Sequence, residues 1–468
     1  MIPDVHPLVA SWFLENVGEP TAVQRETWAA LTRGPADVLA LAPTGSGKTL
    51  AAFLVAISRF MDGAYPEEGL SVLYLSPLKA LNEDIRRNLL APLDSLSSYC
   101  RSRGARFPRI AAETRSGDTP ARDRRHFQAH PPNILAITPE SLAILLGTVR
   151  GREVLSTVRL LVVDEVHALL GSKRGAFLSC QIARLRELVA TAPASQAAPA
   201  SQLTPSIQAA PLRLSTVALS ATLANPSVAA RFCSFNSDAS GSQSGTDRRA
   251  PSQIDADKEA DIKAPSSWVL VNPSMEKKHF WQIEFPSVDI PLSGAPGRPG
   301  RRKDLLSGES PRHEAIARRI VSLFVFGKTV LVFCDSRRLC ERMAHIINTV
   351  NGAGSAWAHH GSLSKELRLS VERRLKAGEL PCVVATASLE LGIDIGEVDQ
   401  VVLVGTPPSV SQALQRMGRS GHRVNETSRC LILPLHGLDL LQAAALSRLL
   451  KAGALESIRP IERPLESC

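Results

Sequence analysis

No run of apolar residues in this chain approaches the roughly 20 needed to cross a bilayer. The opening Met1-Ile-Pro-Asp-Val-His-Pro7 has no basic region followed by an apolar stretch. A spanning helix and a leader peptide are therefore not expected, and a cytoplasmic protein with no membrane partner is. Paired cysteine motifs are missing too. The eight cysteines (Cys100, Cys180, Cys233, Cys334, Cys340, Cys382, Cys430, Cys468) include no C-x-x-C. Several sit inside apolar runs, which argues for buried thiols in a reducing compartment and against a disulfide or zinc framework. Neither sign of charge dominates: 54 Lys and Arg against 45 Asp and Glu give +9 over 468 residues. That excess suits a polyanionic partner and describes a bland solvated surface equally well. With 44% hydrophobic and 21% charged residues, the chain reads as two or three globular domains.

The stretch Leu39–Leu50 organises what is present. An apolar run, 38–42, suits a strand buried on both faces. It turns through Thr44, Gly45, Ser46 and Gly47 and continues from Lys48-Thr49 into a helical pattern. Strand, glycine-rich turn and helix make a phosphate-binding loop, in which backbone N–H groups and a helix N-terminus face phosphate oxygens. Lys48 would reach the β- and γ-phosphates of ATP, and the Thr49 hydroxyl would hold Mg²⁺. Ala42 stands where the motif has its first glycine. A Gly-Lys-Thr tripeptide alone is often an ordinary helix start; the flanking strand and helix make the difference. Upstream, Pro20 and Thr21 begin a helix over 22–31. Gln24 lies in its first turn, with an amide to offer a base edge.

Short apolar runs recur, each ending in polar residues: 71–75 before Ser76-Pro77, 133–137 before Thr138-Pro139, 160–163 before Asp164-Glu165-Val-His167, and 216–219 before Ser220-Ala-Thr222. Helical patterns lie between them, so the fold class is α/β with a parallel sheet, and ligands belong beyond the carboxyl ends of its strands. A second set, 329–333, 381–384, 400–404 and 429–433, forms a like unit without a phosphate loop and is followed by a Leu-rich helix near 438–450. The segments 192–206 and 237–267 are low in complexity and read as disordered inserts, and 292–302 as a loop or linker.

Two further motifs carry chemistry. Asp164-Glu165 after a buried strand can hold a metal and activate water. A solvated strand end is the bland alternative, and the phosphate loop upstream argues against it. Gln415-Arg-Met-Gly-Arg-Ser-Gly-His422 offers two arginines three apart, with glycines that permit close approach to a γ-phosphate. A basic helix end would explain the arginines but not the glycine spacing.

In order, Gln24, 42–49, Asp164-Glu-Val-His167, Ser220-Ala-Thr222 and 415–419 resemble a superfamily 2 helicase core of two RecA-like domains in tandem, a P-loop NTPase architecture. The strings 76–82, 164–175, 359–364 and 388–396 resemble the large helicase-related (Lhr-type) family over about Trp12–Glu456. That resemblance implies a first ATP-binding domain over 1–235 with an insert at 191–211. It further implies an insert and linker over 236–310 and a second domain over 311–456. It implies that Gln24 and Asp394 serve the nucleotide with Thr44–Thr49, and that Asp164 and Thr49 hold Mg²⁺. Glu165 would activate water, and Arg416 and Arg419 would act as fingers. His167, Ser220, Thr222 and Gln415 would couple hydrolysis to movement.

For the nucleic acid the resemblance implies contacts at Lys79, Arg115, Ser116, Thr138, Ser336, Arg337, His360, Gly361 and Thr386. It implies a monomeric core moving 3′ to 5′ on single-stranded DNA and unwinding DNA or RNA:DNA duplexes, with a place in DNA repair. An RNA helicase on the same core is the near alternative, and a nucleic-acid-binding module switched by ATP the distant one. His422 stands where many superfamily 2 members have Arg. Members continue into a winged-helix domain, so 457–468 reads as its truncated start.

Overall fold

The computed structural model describes residues 5–32, 37–43, 45–77, 85–115, 127, 130–192, 214–221, 223–235, 268–273, 279–287, 310–390, 396, 398–421, 427–458 and 461. The first lobe is built on strands β1 (Asp37–Leu41), β2 (Val72–Leu75), β3 (Ala112–Arg115), β4 (Ile134–Ile137), β5 (Leu160–Val163), β6 (Ser215–Ser220) and β7 (Trp268–Val271). The second is built on β8 (His279–Ile283), β9 (Val330–Cys334), β10 (Trp357–His359), β11 (Cys382–Ala385), β12 (Gln400–Val404) and β13 (Ser428–Leu433). Their orders are β3-β4-β2-β5-β6-β1-β7 and β10-β11-β9-β12-β13-β8. Neighbours run parallel throughout, for example Val38 beside Val217 and Val402 beside Val332.

These runs become strands because both of their faces are covered. Along β1, Val38 and Ala40 enter one core while Leu39 and Leu41 enter the other. Val72 and Tyr74 of β2 oppose Leu73 and Leu75 in the same way. In the second lobe, Leu331 and Phe333 face one cluster, and Val330, Val332 and Cys334 the other. With side chains alternating at period two, a strand buried on both faces must be apolar at every position. Helices cover both sides, among them Lys48–Met61, Lys173–Ala190, Arg337–Asn351 and Gly437–Lys451. Among the described residues no helix is long and apolar enough to cross a membrane. Six cysteines are buried free thiols, but Cys180 is exposed, contrary to any reading of it as a core residue.

One boundary read from the sequence needs correcting. The linker expected over 236–310 contains β7, which pairs with β1 through Val38 and Val269, and β8, which pairs with β13 through Cys430 and Trp281. Both are edge strands with partly exposed faces, so they lack the continuous apolar run that marks the inner strands. The low-complexity segments lie outside the described residues, apart from Ala192.

Candidate active site

The phosphate loop leaves β1 and enters the helix Lys48–Met61, with Gly47 as its N-cap at φ +82°. That left-handed conformation is open to glycine at little steric cost. A Cβ at Gly47 would also lie 2.3 Å from Gln24 Nε2, so a larger residue would strain the backbone and displace the Gln24 amide. Gln24 itself is buried. Its Oε1 accepts from Thr21 N at 2.9 Å, Thr21 Oγ1 accepts from Gln24 N at 3.4 Å, and Gln24 Nε2 donates to Gly47 O at 3.3 Å. Thr21 and Gln24 thus form a reciprocal capping box for the helix Ala22–Thr32. Thr21 Oγ1 also donates to Ser46 O at 2.9 Å. The amide expected to face a base is here spent on the helix start and the phosphate loop.

Lys48 is buried, and its ammonium donates to Ala42 O and Pro43 O at 2.5 and 2.8 Å. Burial pulls its pKa down, while the Glu165 and Asp164 carboxylates oppose that. Ser46 Oγ is buried with no hydrogen-bond partner among the described residues. An orphan hydroxyl and a lysine parked on loop carbonyls suit an incoming phosphate.

The carboxyl end of β5 brings the acidic pair alongside. Asp164 Oδ2 accepts from Thr49 Oγ1 at 3.1 Å and Tyr74 OH at 2.5 Å, and its Oδ1 accepts from Glu165 N at 2.8 Å. Burial, then the Glu165 charge, push the Asp164 pKa up. A hydroxyl and a carboxylate oxygen converging from 115 residues apart form the hard-oxygen donor set that Mg²⁺ takes. Glu165 has φ +51° and ψ +42°, a left-handed conformation rare for a side-chain-bearing residue and typical of functional strain. His167 Nε2 lies 3.4 Å from Glu165 Oε2. Its Nδ1 accepts from Ala221 N at 3.2 Å and lies 3.3 Å from Ser220 Oγ. Burial and Lys48 depress the His167 pKa to about 4, so the ring is neutral near pH 7. The end of β5 is thereby joined to the end of β6.

Both arginines of the 415–422 segment are buried in the second lobe. Arg416 donates to Glu390 Oε2 at 3.2 Å and Asp335 Oδ1 at 2.9 Å, with its guanidinium 5.4 Å from the Phe333 ring centroid. Arg419 donates to Glu390 O at 2.7 Å. Among the described contacts, these desolvated guanidinium groups are held by Glu390 and Asp335. Gln415 is half-buried on the same helix, Val410–Met417.

The residues expected along the nucleic acid divide. Arg337 and Thr386 line a cleft of about 700 Å³ at the carboxyl ends of the second sheet, together with Asp335, Gln412 and Arg416. Ser336 and Gly361 are exposed, although Ser336 Oγ caps its helix by accepting from Leu339 N. Three others are turned inward. His360 is buried against Glu341 at 2.6 Å, Arg115 is buried with its guanidinium 5.5 Å from the Phe127 centroid, and Thr138 Oγ1 meets Ser141 Oγ at 3.2 Å. Thr44, Lys79, Ser116, Thr222, Asp394 and His422 lie outside the described residues. Sequence reasoning missed Tyr74 and Glu390. Tyr74 places a lone hydroxyl in an otherwise apolar strand, which was a readable signal; Glu390 had none beyond its place in the 388–396 string.

Residues 21–230 match the DEAD/DEAH box helicase family and 315–424 the helicase conserved C-terminal domain. An Lhr helicase/probable uracil glycosylase of Mycolicibacterium smegmatis is 36% identical over 98% of this chain and 28% of its own length. ATP-dependent helicase Lhr-Core protein 2 of Thermococcus barophilus is 36% identical over 98% of this chain and 47% of its own. The structure of Mycobacterium smegmatis helicase Lhr bound to ssDNA and AMP-PNP superposes with a TM-score of 0.77 at 36% identity, covering all of this chain and 52% of that one. The chain thus spans about half or less of the length of these relatives.

Proposed function

Since this chain belongs to the Lhr-type helicases and carries their two-lobed core, we propose that it is an ATP hydrolase that drives movement along nucleic acid. The observation that carries the reading is the Thr49–Asp164 contact at 3.1 Å, with Glu165 held in a left-handed turn beside it. In this account 44–47 and Lys48 bind the phosphates, Lys48 exchanging the Ala42 and Pro43 carbonyls for phosphate oxygens. Gln24 and Asp394 serve the rest of the nucleotide. Thr49 and Asp164 would hold Mg²⁺, which would neutralise charge developing on the phosphates. Glu165 orients the attacking water and takes its proton. His167, Ser220, Thr222 and Gln415 relay the state of the site. Arg416 and Arg419 act as fingers once closure of the lobes exchanges their present partners for phosphate oxygens.

The proposed path of the strand runs past Lys79, Arg115, Ser116, Thr138, Ser336, Arg337, His360, Gly361 and Thr386. Arg115, Thr138 and His360 would have to leave their present buried partners to join the others in holding its backbone, a contact that reads no bases. The relative solved with ssDNA and AMP-PNP supports single-stranded DNA as the track. From the Lhr-type resemblance of the motifs we further propose 3′ to 5′ movement of a monomeric core and unwinding of DNA or RNA:DNA duplexes in DNA repair.

Replacing Glu165 by Gln tests the chemistry. Turnover should fall by at least 10²-fold, the scale of a lost general base, while ATP binding is retained. Equal turnover in variant and parent would remove Glu165 from the mechanism.

A further inference from the structure

The helix Lys173–Ala190 begins four residues past Leu169, the last residue of the short helix Val166–Leu169 that follows the acidic pair. Its start is rigid. Ser172 N and Oγ both donate to Leu169 O, at 3.0 and 2.8 Å, and Ser172 Oγ accepts from Gly175 N at 3.0 Å. A Cβ on Gly175 would meet Leu169 O at 1.9 Å, so this close approach requires glycine. Arg174 therefore leaves a backbone fixed relative to Asp164 and Glu165.

Its guanidinium spans two other segments. Nε and Nη2 form a fork on Glu140, to Oε1 at 2.5 Å and Oε2 at 3.0 Å, and Nη1 donates to Pro77 O at 2.6 Å. Pro77 follows β2 and Glu140 follows β4, which are neighbouring strands. Thr138 stands at the second of these ends, and Lys79, outside the described residues, follows the first in sequence; the sequence reading expects both to touch the nucleic-acid backbone. The Arg174 hydrogen bonds hold the Glu140 carboxyl below the usual carboxylate range. Both side chains are about half-exposed, at 40% and 54%, so the pair contributes little to stability, as exposed ion pairs generally do. A planar fork that fixes two loops at once is instead a geometric device.

We propose that Arg174, through Glu140 and Pro77, is a positioning residue for the nucleic-acid strand: it sets the ends of β2 and β4 relative to each other and to the acidic pair. This rests on the motor reading above. The test is DNA-stimulated ATP hydrolysis by the full chain, titrated with a single-stranded oligodeoxynucleotide. Parent, Arg174→Ala, Glu140→Gln and the double variant are compared, with their DNA-free rates and melting temperatures alongside.

The half-saturating DNA concentration should rise on the order of tenfold in each single variant and no further in the double. DNA-free rate and melting temperature should stay at the parent's values. Glu140→Gln is the sharper arm and carries the test if Arg174→Ala fails to fold. Removing a negative charge beside a polyanion tightens binding if charge alone counts, whereas releasing the clamp loosens it. Unchanged half-saturation, or tighter binding in Glu140→Gln, overturns the inference. A parent that DNA does not stimulate overturns the motor reading instead.

Discussion

His167 shows how much one residue's surroundings decide. Its ring is buried, accepts from Ala221 N through Nδ1 and faces Glu165 through Nε2. A histidine pKa depressed from 6.5 to about 4 means that the unfolded chain binds a proton which the folded one refuses. Stability attributable to this group is therefore intact above pH 6.5 and is lost as pH falls toward 4, by on the order of 3 kcal/mol in all. Asp164, raised by burial, contributes a slope of opposite sign in acid. Denaturant unfolding of parent and His167→Gln between pH 4 and 7 isolates the histidine: the parent's curve should be steeper, and parallel curves would refute the assignment. Gly47 gives a second test at this scale. Gly47→Ala should cost about 1–3 kcal/mol, from its φ of +82° and the collision with Gln24 Nε2. Repeating it in a Gln24→Ala background should remove the collision and leave the backbone strain, so the two changes should not add.

At the scale of elements, the helix Val410–Met417 carries Gln415 and Arg416, and its N-terminus is held from two sides. Ser409 Oγ accepts from Gln412 N at 3.1 Å. The Glu456 carboxylate accepts from Val410 N, and from Ser411 N and Oγ at 3.2 Å. A carboxylate on the free N–H groups of a helix start satisfies them and suits the helix dipole. Glu456→Ala should therefore lower stability by about 1 kcal/mol. Those N–H bonds pull the Glu456 pKa below its ordinary value, against burial, which raises it. The contribution should thus be present at neutral pH and fade as acid protonates the carboxyl. A variant melting with the parent at pH 7 would contradict this.

The inner strands were legible for a plain reason, since burial on two faces demands unbroken apolar runs such as Leu160–Val163. The outer strands were not. Ala112-Glu-Thr-Arg115 and His279-Phe-Trp-Gln-Ile283 are only partly buried and mix polar with apolar residues. Beside a Ser- and Gly-rich tract, the second of these reads as linker. The site was legible where spacing encodes it, in the phosphate loop and the acidic pair. Partners such as Tyr74 and Glu390 come from distant segments that spacing cannot join.

For the whole molecule, the phosphate loop, Asp164 and Glu165 stand on the first sheet, and the two arginines are held inside the second lobe by Glu390 and Asp335. In the proposed account hydrolysis is slow until those arginines reach the phosphates, and the proposed agent is a nucleic-acid strand lying across both lobes. Rate gains of about 10³–10⁵ accompany the arrival of an arginine at a γ-phosphate in related chemistry, so the stimulation should be large. The most direct measurement is steady-state ATP hydrolysis by this chain with and without saturating single-stranded DNA. A rise of at least tenfold that Glu165→Gln abolishes is what the account predicts. Equal rates with and without DNA would contradict it.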